Sequence, residues 1–398
     1  MSIGFAKARL ARLHEALARH VASGDMPGLV ALVARRGEIH VEAIGRQSFE
    51  TETPMRRDTI FRLASMTKPI TAAATLILVE QCRLRLDDPV DDFLPELAGR
   101  RVLKSLEGPV EDTVPARRPI SVRDLLTFTF GLGAVMVWPP KHPIQKAMTE
   151  AGVAPGPGQP ELSADDFMKR LGALPLIYQP GERWLYHTGS DVLGVLIARA
   201  SGQSLADFMR DQLFEPLGMG DTGFEVPAGK LDRLAGAYMM DPQKKALGLF
   251  DDARNSRWAK PPAFARGGSG LVSTADDYLA FCRMLLNKGR HGDRRLLSRP
   301  AVELMMSDQL TAEQKQGAEL FFGQGASWGM GGAVATRRTD LCTTPGRYGW
   351  DGGYGTSGHL DPAEDMVGIL LTQRMMESPQ PPRVFRDFWT SAYQSLDD

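Results

Sequence analysis

The amino-acid sequence predicts an α/β (α+β) fold, in which one sheet is assembled from both ends of the chain and a mainly helical lobe lies between them. Strand patterns occur at residues 29–44 and again from about residue 327, and apolar helical segments lie between them. At 398 residues the chain exceeds a typical single core, so two lobes with a site in their cleft are expected. We place the sheet lobe at about 1–60 and 265–398 and the helical lobe at about 61–264.

The first predicted elements are an amphipathic helix and a hairpin. Leu10, Leu13, Leu17 and Val21 recur at three- and four-residue steps, as on a helix that packs against a core. Residues 29–34 and 39–44 are strand patterns around a turn that contains glycine. These elements begin the sheet lobe.

The helical lobe is predicted from apolar segments with recognisable ends. Pro69 to Glu80 is apolar nearly all round, which indicates a buried helix, and residues 191–200 form a second such helix closed by Gly202. Capping patterns predict two further helix starts, at Ser121-x-x-Asp124 and Ser204-x-x-Asp207.

Residues 131–162 differ from the rest of this lobe. They are rich in proline and glycine yet carry Met136, Val137 and Trp138. A long irregular segment with apolar content is typical of a lid or pocket wall, and a surface excursion that packs on itself is the alternative.

The C-terminal part returns to a sheet. A helix is predicted to begin at Thr274, strands at 327–336, 355–360 and 366–372, and a last helix at 384–396.

Composition and charge exclude several classes of function. The formal net charge is −1 and basic residues are dispersed, so neither nucleic acid nor a membrane is expected as a partner. Three scattered cysteines, Cys82, Cys282 and Cys342, form neither a disulfide framework nor a zinc motif, and no metal or other cofactor is expected. The N-terminus lacks the apolar core of a secretory signal, so a reducing, cytoplasmic location is expected.

The motif that carries chemistry is Ser65-Met66-Thr67-Lys68, at the start of the predicted buried helix. Residues i and i+3 share a helix face, so the hydroxyl and the amine can meet. A serine needs an adjacent base, and a desolvated lysine can have a pKa low enough to serve as one. The motif alone is short enough to occur by chance, and a lysine that merely extends from a helix end is the alternative. A lysine on an otherwise apolar helix favours the functional interpretation.

Several segments together resemble the group of class C β-lactamases and family VIII carboxylesterases, a penicillin-binding-protein-like family. The resemblance covers roughly residues 25 to 395 and is carried by residues 61–70, 124–127, 186–194, 215–219, 267–274 and 350–357. It implies a single β-lactamase/transpeptidase-like domain over 1–398, with an antiparallel sheet flanked by helices, a mainly helical lobe and the active site in the cleft between them. It also implies a serine acyl-enzyme mechanism.

The resemblance assigns roles to individual residues. It makes Ser65 the nucleophile, Lys68 the general base, and Tyr186 the tyrosine that passes a proton to the leaving group as a phenolate or as a hydrogen-bond relay. The backbone N–H groups of Ser65 and Gly353 would form the oxyanion hole. Without the resemblance, Tyr186 would be read as a packed aromatic residue.

Departures from the β-lactamase pattern favour an ester substrate. The family's Tyr-x-Asn is Tyr186-His187-Thr188 here, and the Lys-Thr-Gly motif falls on Trp350-Asp351-Gly352, which removes a cation that would face a β-lactam carboxylate. Trp350 offers an apolar wall suited to an uncharged acyl or alkyl group. Trp350, Asp351, Gly352 and His187 are therefore substrate-binding candidates. For His187 a hydrogen-bonded structural imidazole is the alternative to proton transfer, and for Asp351 a backbone cap in a glycine-rich turn is the ordinary interpretation.

The predicted function is a serine hydrolase, most simply a carboxylesterase on short-chain esters, with weak β-lactam hydrolysis left open. A β-lactamase, a D-aminoacyl peptidase or an acyltransferase would share these motifs, and a catalytically silent binding or scaffold protein is an alternative of another class. A rival nucleophile is Ser327, in Gly325-Ala-Ser-Trp-Gly329, which fits the G-x-S-x-G pattern but lacks its expected flanking elements. The expected partner is a small ester or amide substrate, and a homodimer is left open.

Overall fold

The computed structural model describes residues 4–137, 139–156 and 161–397. Its strands are β1 Gly28–Arg35, β2 Glu38–Gly45, β3 Phe61–Arg62, β4 Arg101–Leu103, β5 Thr113–Pro115, β6 Ala237–Asp241, β7 Ala246–Asp251, β8 Val272–Ser273, β9 Arg290–His291, β10 Arg294–Arg295, β11 Ala326–Trp328, β12 Ala333–Ala335, β13 Tyr348–Gly352, β14 Thr356–Asp361 and β15 Met366–Thr372.

The α-helices are α1 Lys7–Ala22, α2 Thr67–Glu80, α3 Val122–Leu126, α4 Pro143–Glu150, α5 Ala164–Ala173, α6 Thr188–Ser201, α7 Leu205–Met209, α8 Glu215–Leu217, α9 Ala275–Leu286, α10 Arg299–Met305, α11 Glu319–Phe322 and α12 Arg383–Gln394. Single turns of 3₁₀ helix occur at Ala64–Met66, Pro95–Leu97, Ala253–Asn255 and Arg257–Ala259, a longer 3₁₀ segment spans Ala228–Arg233, and Arg210–Phe214 is π-helical.

The central sheet joins the two ends of the chain, as predicted. In the described residues seven strands pair in the order β11-β12-β13-β14-β15-β1-β2. The strands β1 and β15 are antiparallel neighbours, with Leu32 opposite Ile369, and both are buried along their whole length. Since each is covered on both faces, the strands read as continuous apolar runs rather than alternating ones.

Two layers of helices cover the sheet. Leu29, Ala31 and Val33 pack with α1 and α12, whereas the alternate residues Val30 and Leu32 join the main core. That main core also contains α2, in which every residue from Thr67 to Leu78 is buried. The predicted fold class is confirmed, and α2 is the buried helix that the sequence predicts.

The predicted helix ends are found with their caps. Ser121 and Asp124 form a reciprocal capping box at α3, and the hydroxyls of Ser204 and Thr274 accept hydrogen bonds from backbone N–H groups at α7 and α9. Gly202 ends α6 in the left-handed conformation.

The structure differs from the predicted elements at three places. Residues 327–336 are two short strands, β11 and β12, because Gly329 to Gly332 form a tight turn between them. The strand β13 was not predicted. Two of its five residues are glycines, and the others, Tyr348, Trp350 and Asp351, show no clear alternation of apolar and polar residues. The hairpin of β6 and β7 lies in the region predicted to be mainly helical.

The segment 131–162 is less irregular than predicted, because it contains the helix α4. Glycines and prolines flank that helix without interrupting it. Trp138 lies outside the described residues. In those residues no helix is long and apolar enough to cross a membrane.

Candidate active site

The candidate nucleophile sits in a tight turn directly before α2. Ser65 is the middle residue of the 3₁₀ turn Ala64–Met66, and only 8% of it is exposed. Ala64 has a φ of +46°, an unfavourable conformation for a residue with a side chain. The turn is held against the sheet because the carbonyl of Leu63 accepts a hydrogen bond from Thr356 on β14.

Lys68 reaches Ser65 as the spacing of the motif predicts. Its Nζ lies 2.8 Å from the Oγ of Ser65, one helical turn away, and the lysine is completely buried. The same nitrogen donates to the carbonyl of Gly268 at 2.7 Å. Burial lowers the pKa of Lys68 from 10.5 to about 7, against the raising effect of Asp191 and with a further lowering effect of Arg266. At neutral pH a large fraction of this amine is therefore unprotonated.

Tyr186 completes a compact group with these two residues. Its ring centroid lies 4.7 Å from the Nζ of Lys68, and its hydroxyl hydrogen-bonds Ser65 and accepts a 2.7 Å hydrogen bond from the Nε1 of Trp350. Burial raises the pKa of Tyr186 to about 12. The hydroxyl is therefore protonated at neutral pH, which favours the hydrogen-bond relay over the phenolate.

Aromatic rings surround Tyr186, which is partly buried and lines the cavity described below. Its ring centroid lies 5.7 Å from that of Trp184, 5.0 Å from that of Phe321 and 5.7 Å from that of Trp350. Aromatic packing of this kind both excludes water and fixes the ring. Tyr186 therefore packs among aromatic side chains, as its sequence context alone suggests, and also lies beside the nucleophile.

A cavity of about 320 Å³ opens onto Ser65. Its walls come from the turn of Ser65, from the segment 131–162, from β13 and from the residues after β15. Of the motif segments, 267–274 contributes Ser269, and the lining residues outside the motifs are Ala134, Met136, Pro155, Gly156, Phe321, Met375, Met376, Glu377, Ser378 and Pro379.

The segment 131–162 thus contributes a wall of this cavity, through Ala134, Met136, Pro155 and Gly156. Sequence reasoning missed the opposite wall, residues 375–379, which carries no motif.

Residues 350–352 end β13, Gly353 follows it, and these four residues differ in what they face. Trp350 and Gly353 line the cavity beside Ser65. The side chain of Asp351 points the other way and hydrogen-bonds Ser357 at 2.5 Å and His359 at 3.1 Å on β14, because successive residues of a strand alternate between faces. The expectation that Asp351 caps a glycine-rich turn was wrong: it is a strand residue with cross-strand partners. Asp351 is among the residues that line the cavity, but its carboxylate is engaged by Ser357 and His359.

Gly352 has a packing role in this arrangement. It is buried at the end of β13, where a Cβ atom would collide with the carbonyl of Leu63 and with Thr356. A glycine is required because two backbones approach closely here. This approach brings Gly353 next to the turn of Ser65. Within the described residues, the N–H of Gly353 donates to no other backbone group.

The neighbourhood of His187 was only partly foreseen. His187 lines the cavity and its Nδ1 lies 3.3 Å from the Nζ of Lys68. Behind it, Asp191 accepts hydrogen bonds from Arg266 and from the N–H of Gly268. Asp191 sits in an otherwise apolar helix pattern, a signal that could have been read as functional, whereas Arg266 carries no local signal.

The rival nucleophile Ser327 is excluded by its surroundings. It lies in β11, completely buried, and its hydroxyl donates to the carboxylate of Asp308. The strand is followed by a second strand rather than a helix, so the G-x-S-x-G sequence forms no nucleophile elbow. Among the described residues, no group of three or more His, Cys, Asp or Glu side chains could hold a metal ion.

Comparisons with known proteins identify the family of this chain. A family model described as Beta-lactamase matches residues 13–386. The chain belongs to the Beta-lactamase family. Protein Rv1367c of Mycobacterium tuberculosis is 38% identical over 359 residues, which cover 88% of this chain and 86% of that protein. Esterase EstB of Burkholderia gladioli is 32% identical over 391 residues, which cover 94% and 92%.

A solved structure has the same fold as this chain. EstCE1, described as a hydrolase with promiscuous acyltransferase activity, superposes with a TM-score of 0.80 at 26% identity and covers 97% of this chain and 99% of that one. The resemblance stated from the sequence motifs is thereby confirmed. Membership of this family supports an enzyme of the serine-hydrolase or acyl-transfer class.

Proposed function

We propose that this protein is a carboxylesterase that forms an acyl-enzyme on Ser65 and acts on short-chain esters of uncharged acids. The observation that carries the proposal is the 2.8 Å contact between Ser65, which lines an open cavity, and Lys68, which is fully buried behind it. The pKa of that lysine, lowered to about 7 by burial, suits a general base at neutral pH.

In the proposed acylation, Lys68 takes the proton of Ser65 as the oxygen attacks the ester carbonyl. The N–H groups of Ser65 and Gly353 stabilise the oxyanion, and each such donor is typically worth about 3–4 kcal/mol. Tyr186, hydrogen-bonded to Ser65 and protonated, relays a proton to the departing alcohol. Water then attacks the acyl carbonyl and gives its proton to Lys68. Ser65 regains a proton as the carboxylic acid leaves.

The cavity supports an uncharged substrate. Apolar side chains dominate its walls, with Met136, Phe321, Trp350 and Met376 among them. No lysine or arginine of the described residues lines it, so a substrate carboxylate would find no cationic partner there. Esterase EstB, at 32% identity, is a relative whose name agrees with ester hydrolysis. Family VIII esterase character is part of the same proposal.

The test is a substrate panel with two serine variants. We expect p-nitrophenyl acetate and butyrate to be cleaved far faster than nitrocefin or a D-alanyl anilide. Ser65→Ala should abolish this cleavage, because it removes the nucleophile. Ser327→Ala serves as the matched control and should retain turnover, since Ser327 is buried away from the cavity. Rapid nitrocefin turnover without ester cleavage would contradict the proposed substrate, and activity in Ser65→Ala would contradict the nucleophile.

Acyl transfer is a second candidate that uses the same acyl-enzyme. It is favoured by the relative EstCE1 and by the apolar walls of the cavity, which suit an acceptor alcohol. The test is to add ethanol or butanol during turnover and to measure the new ester by chromatography. A ratio of new ester to free acid above the molar ratio of alcohol to water would support transfer. Formation of the free acid alone would contradict it.

A further inference from the structure

A second cavity lies at the end of the sheet that β11 and β12 form. It has a volume of about 380 Å³, and its walls come from residues 322–326, from β12, from β14 and from the segment between β12 and β13. Among the described residues, it shares no lining residue with the cavity at Ser65. We call it the arginine cavity, because Arg337 and Arg347 both line it.

Small residues of the sheet leave space for this cavity. Ala333 on β12, Gly349 on β13 and His359 on β14 are neighbours across the three strands. Neighbours of this kind belong to one face of a sheet. The ring of His359 lies close over Gly349, where a Cβ atom would collide with it, and it thereby reaches the arginine cavity. The shape of the cavity therefore depends on a glycine and an alanine at positions where strands usually carry larger side chains.

The side chain of Arg347 is held in place without a charged partner. Its guanidinium carbon lies 4.1 Å from the ring centroid of Trp389, a cation–π contact that orients the group. In the part of the chain that the structure describes, this guanidinium forms no ion pair and no hydrogen bond, and its Nε is buried. A buried donor without an acceptor is unfavourable, so an anion that supplies an acceptor to this group would be stabilised.

The ionisable groups around the arginine cavity leave it positively charged. Arg337 donates a 2.8 Å hydrogen bond to the amide oxygen of Gln324 and has no carboxylate partner among the described residues. No aspartate or glutamate of those residues lines the cavity. Burial lowers the pKa of His359 to about 4, so its imidazole is neutral at physiological pH. The carboxylate of Asp351, behind that imidazole, already accepts hydrogen bonds from His359 and Ser357.

We propose that the arginine cavity binds a short-chain carboxylate, whose charged end meets the guanidinium of Arg347. A guanidinium presents paired N–H donors that match the two oxygens of a carboxylate. Phe322 and the alanines of β11 and β12 also line the cavity and offer apolar surface to a chain of a few carbons. The binding site itself does not depend on the proposed function. Only one link rests on that function, namely that a carboxylate is the class of product that ester hydrolysis releases.

The experiment titrates the full-length protein with sodium butyrate at an ionic strength held constant with chloride. Binding is followed in ¹⁵N spectra by the Nε–Hε signal of Arg347, which is assigned by its absence in Arg347→Met. Methionine keeps much of the apolar length of the arginine beside Trp389. Butyramide has the same chain without the charge, and inorganic phosphate has charge without the chain. Arg294→Met is the matched control, because it also removes one positive charge and Arg294 does not line the cavity.

We expect butyrate to shift the Arg347 signal until it saturates, and to bind about tenfold or more tightly than butyramide, as one charge-assisted hydrogen bond predicts. In Arg347→Met, the backbone signals of Ala333 and Ala335 report on the same cavity, and butyrate affinity there should fall about tenfold or more. Arg294→Met should bind butyrate as the wild type does. Circular dichroism checks the folding of both variants. If Arg347→Met does not fold, the comparison of butyrate with butyramide and phosphate in the wild type decides alone.

Three results would overturn the proposal. These are the absence of a saturable shift of the Arg347 signal, equal affinities for butyrate and butyramide, and tighter binding of phosphate than of butyrate.

Labelling of Ser65 by a fluorophosphonate separates this inference from the proposed function. The label fills the cavity at Ser65, so butyrate should still shift the Arg347 signal in the labelled protein. Loss of the shift on labelling would mean that butyrate binds beside Ser65, and this would also overturn the inference. If Ser65 is not labelled but the Arg347 signal shifts, the proposed function fails and the carboxylate site stands.

Discussion

The buried amine of Lys68 should make the native protein less stable than it could be, and Lys68→Met tests this. Methionine has a similar length and no charge, so it can fill the space of the lysine beneath Ser65. The lysine pKa is about 7 in the folded protein and 10.5 in the reference state. Between these values the unfolded chain binds a proton that the folded protein does not, so stability rises with pH across this range.

The magnitude follows from that difference. The fall in the pKa of Lys68 from 10.5 to about 7 corresponds to a destabilisation of the folded protein of about 5 kcal/mol below pH 7, about 4 kcal/mol at pH 7 and almost nothing at pH 10.5. Lys68→Met removes this penalty but leaves the carbonyl of Gly268 without its donor, at a cost of about 1–3 kcal/mol. The variant should therefore be more stable than the wild type by about 1–3 kcal/mol at pH 7, and this advantage should fall by about 4 kcal/mol towards pH 10.5.

The assay is urea unfolding of the two proteins between pH 6 and pH 10, followed by fluorescence. Other groups that titrate in this range are shared, so they cancel in the difference. Lys146→Met is the matched control: this side chain is 78% exposed, and its substitution should change stability little at any pH. A difference between Lys68→Met and the wild type that stays constant from pH 6 to pH 10 would refute the reasoning.

Three further predictions concern Trp350, the buried ion pair of Arg62 with Asp251, and the pH dependence of catalysis. Trp350→Phe keeps an aromatic side chain but removes the N–H that donates to Tyr186. The kcat for a p-nitrophenyl ester should therefore fall about tenfold, which is the size of effect expected from one lost hydrogen bond. An unchanged kcat would contradict this role of Trp350. Asp251→Ala leaves the buried guanidinium of Arg62 without its carboxylate and should lower the free energy of unfolding by about 3–5 kcal/mol in urea; a loss below 1 kcal/mol would contradict it. The kcat/KM for esters should fall as pH drops below about 7, because Lys68 must be neutral, and should show no alkaline limb from Tyr186 below about pH 10, which a stopped-flow pH profile can check.

The sequence predicted those parts of the site that depend on local geometry. Ser65 and Lys68 are three residues apart, and the 3₁₀ turn that contains Ser65 leads directly into α2, so their contact follows from helical geometry once the helix is recognised. The strands β1 and β15 were predicted because a strand covered on both faces is apolar throughout. The family resemblance supplied the position of Tyr186.

The parts that were missed depend on contacts between distant segments. Arg266 meets Asp191 across 75 residues, and nothing near Arg266 in sequence identifies it as the partner of Asp191. Asp351 was assigned to a turn because glycines flank it, whereas those glycines serve the close packing of β13 on the turn of Ser65. The wall at residues 375–379 follows β15 without any pattern of its own. Tertiary packing, rather than local propensity, determines each of these features.

The most direct measurement of the central claim is mass spectrometry of the enzyme trapped during turnover of a slow ester. The wild-type protein should gain the mass of one acyl group, and fragmentation should place it on Ser65. Ser65→Ala should gain none. An acyl group found on another residue, or turnover of the ester with no covalent adduct in the wild type, would contradict the account.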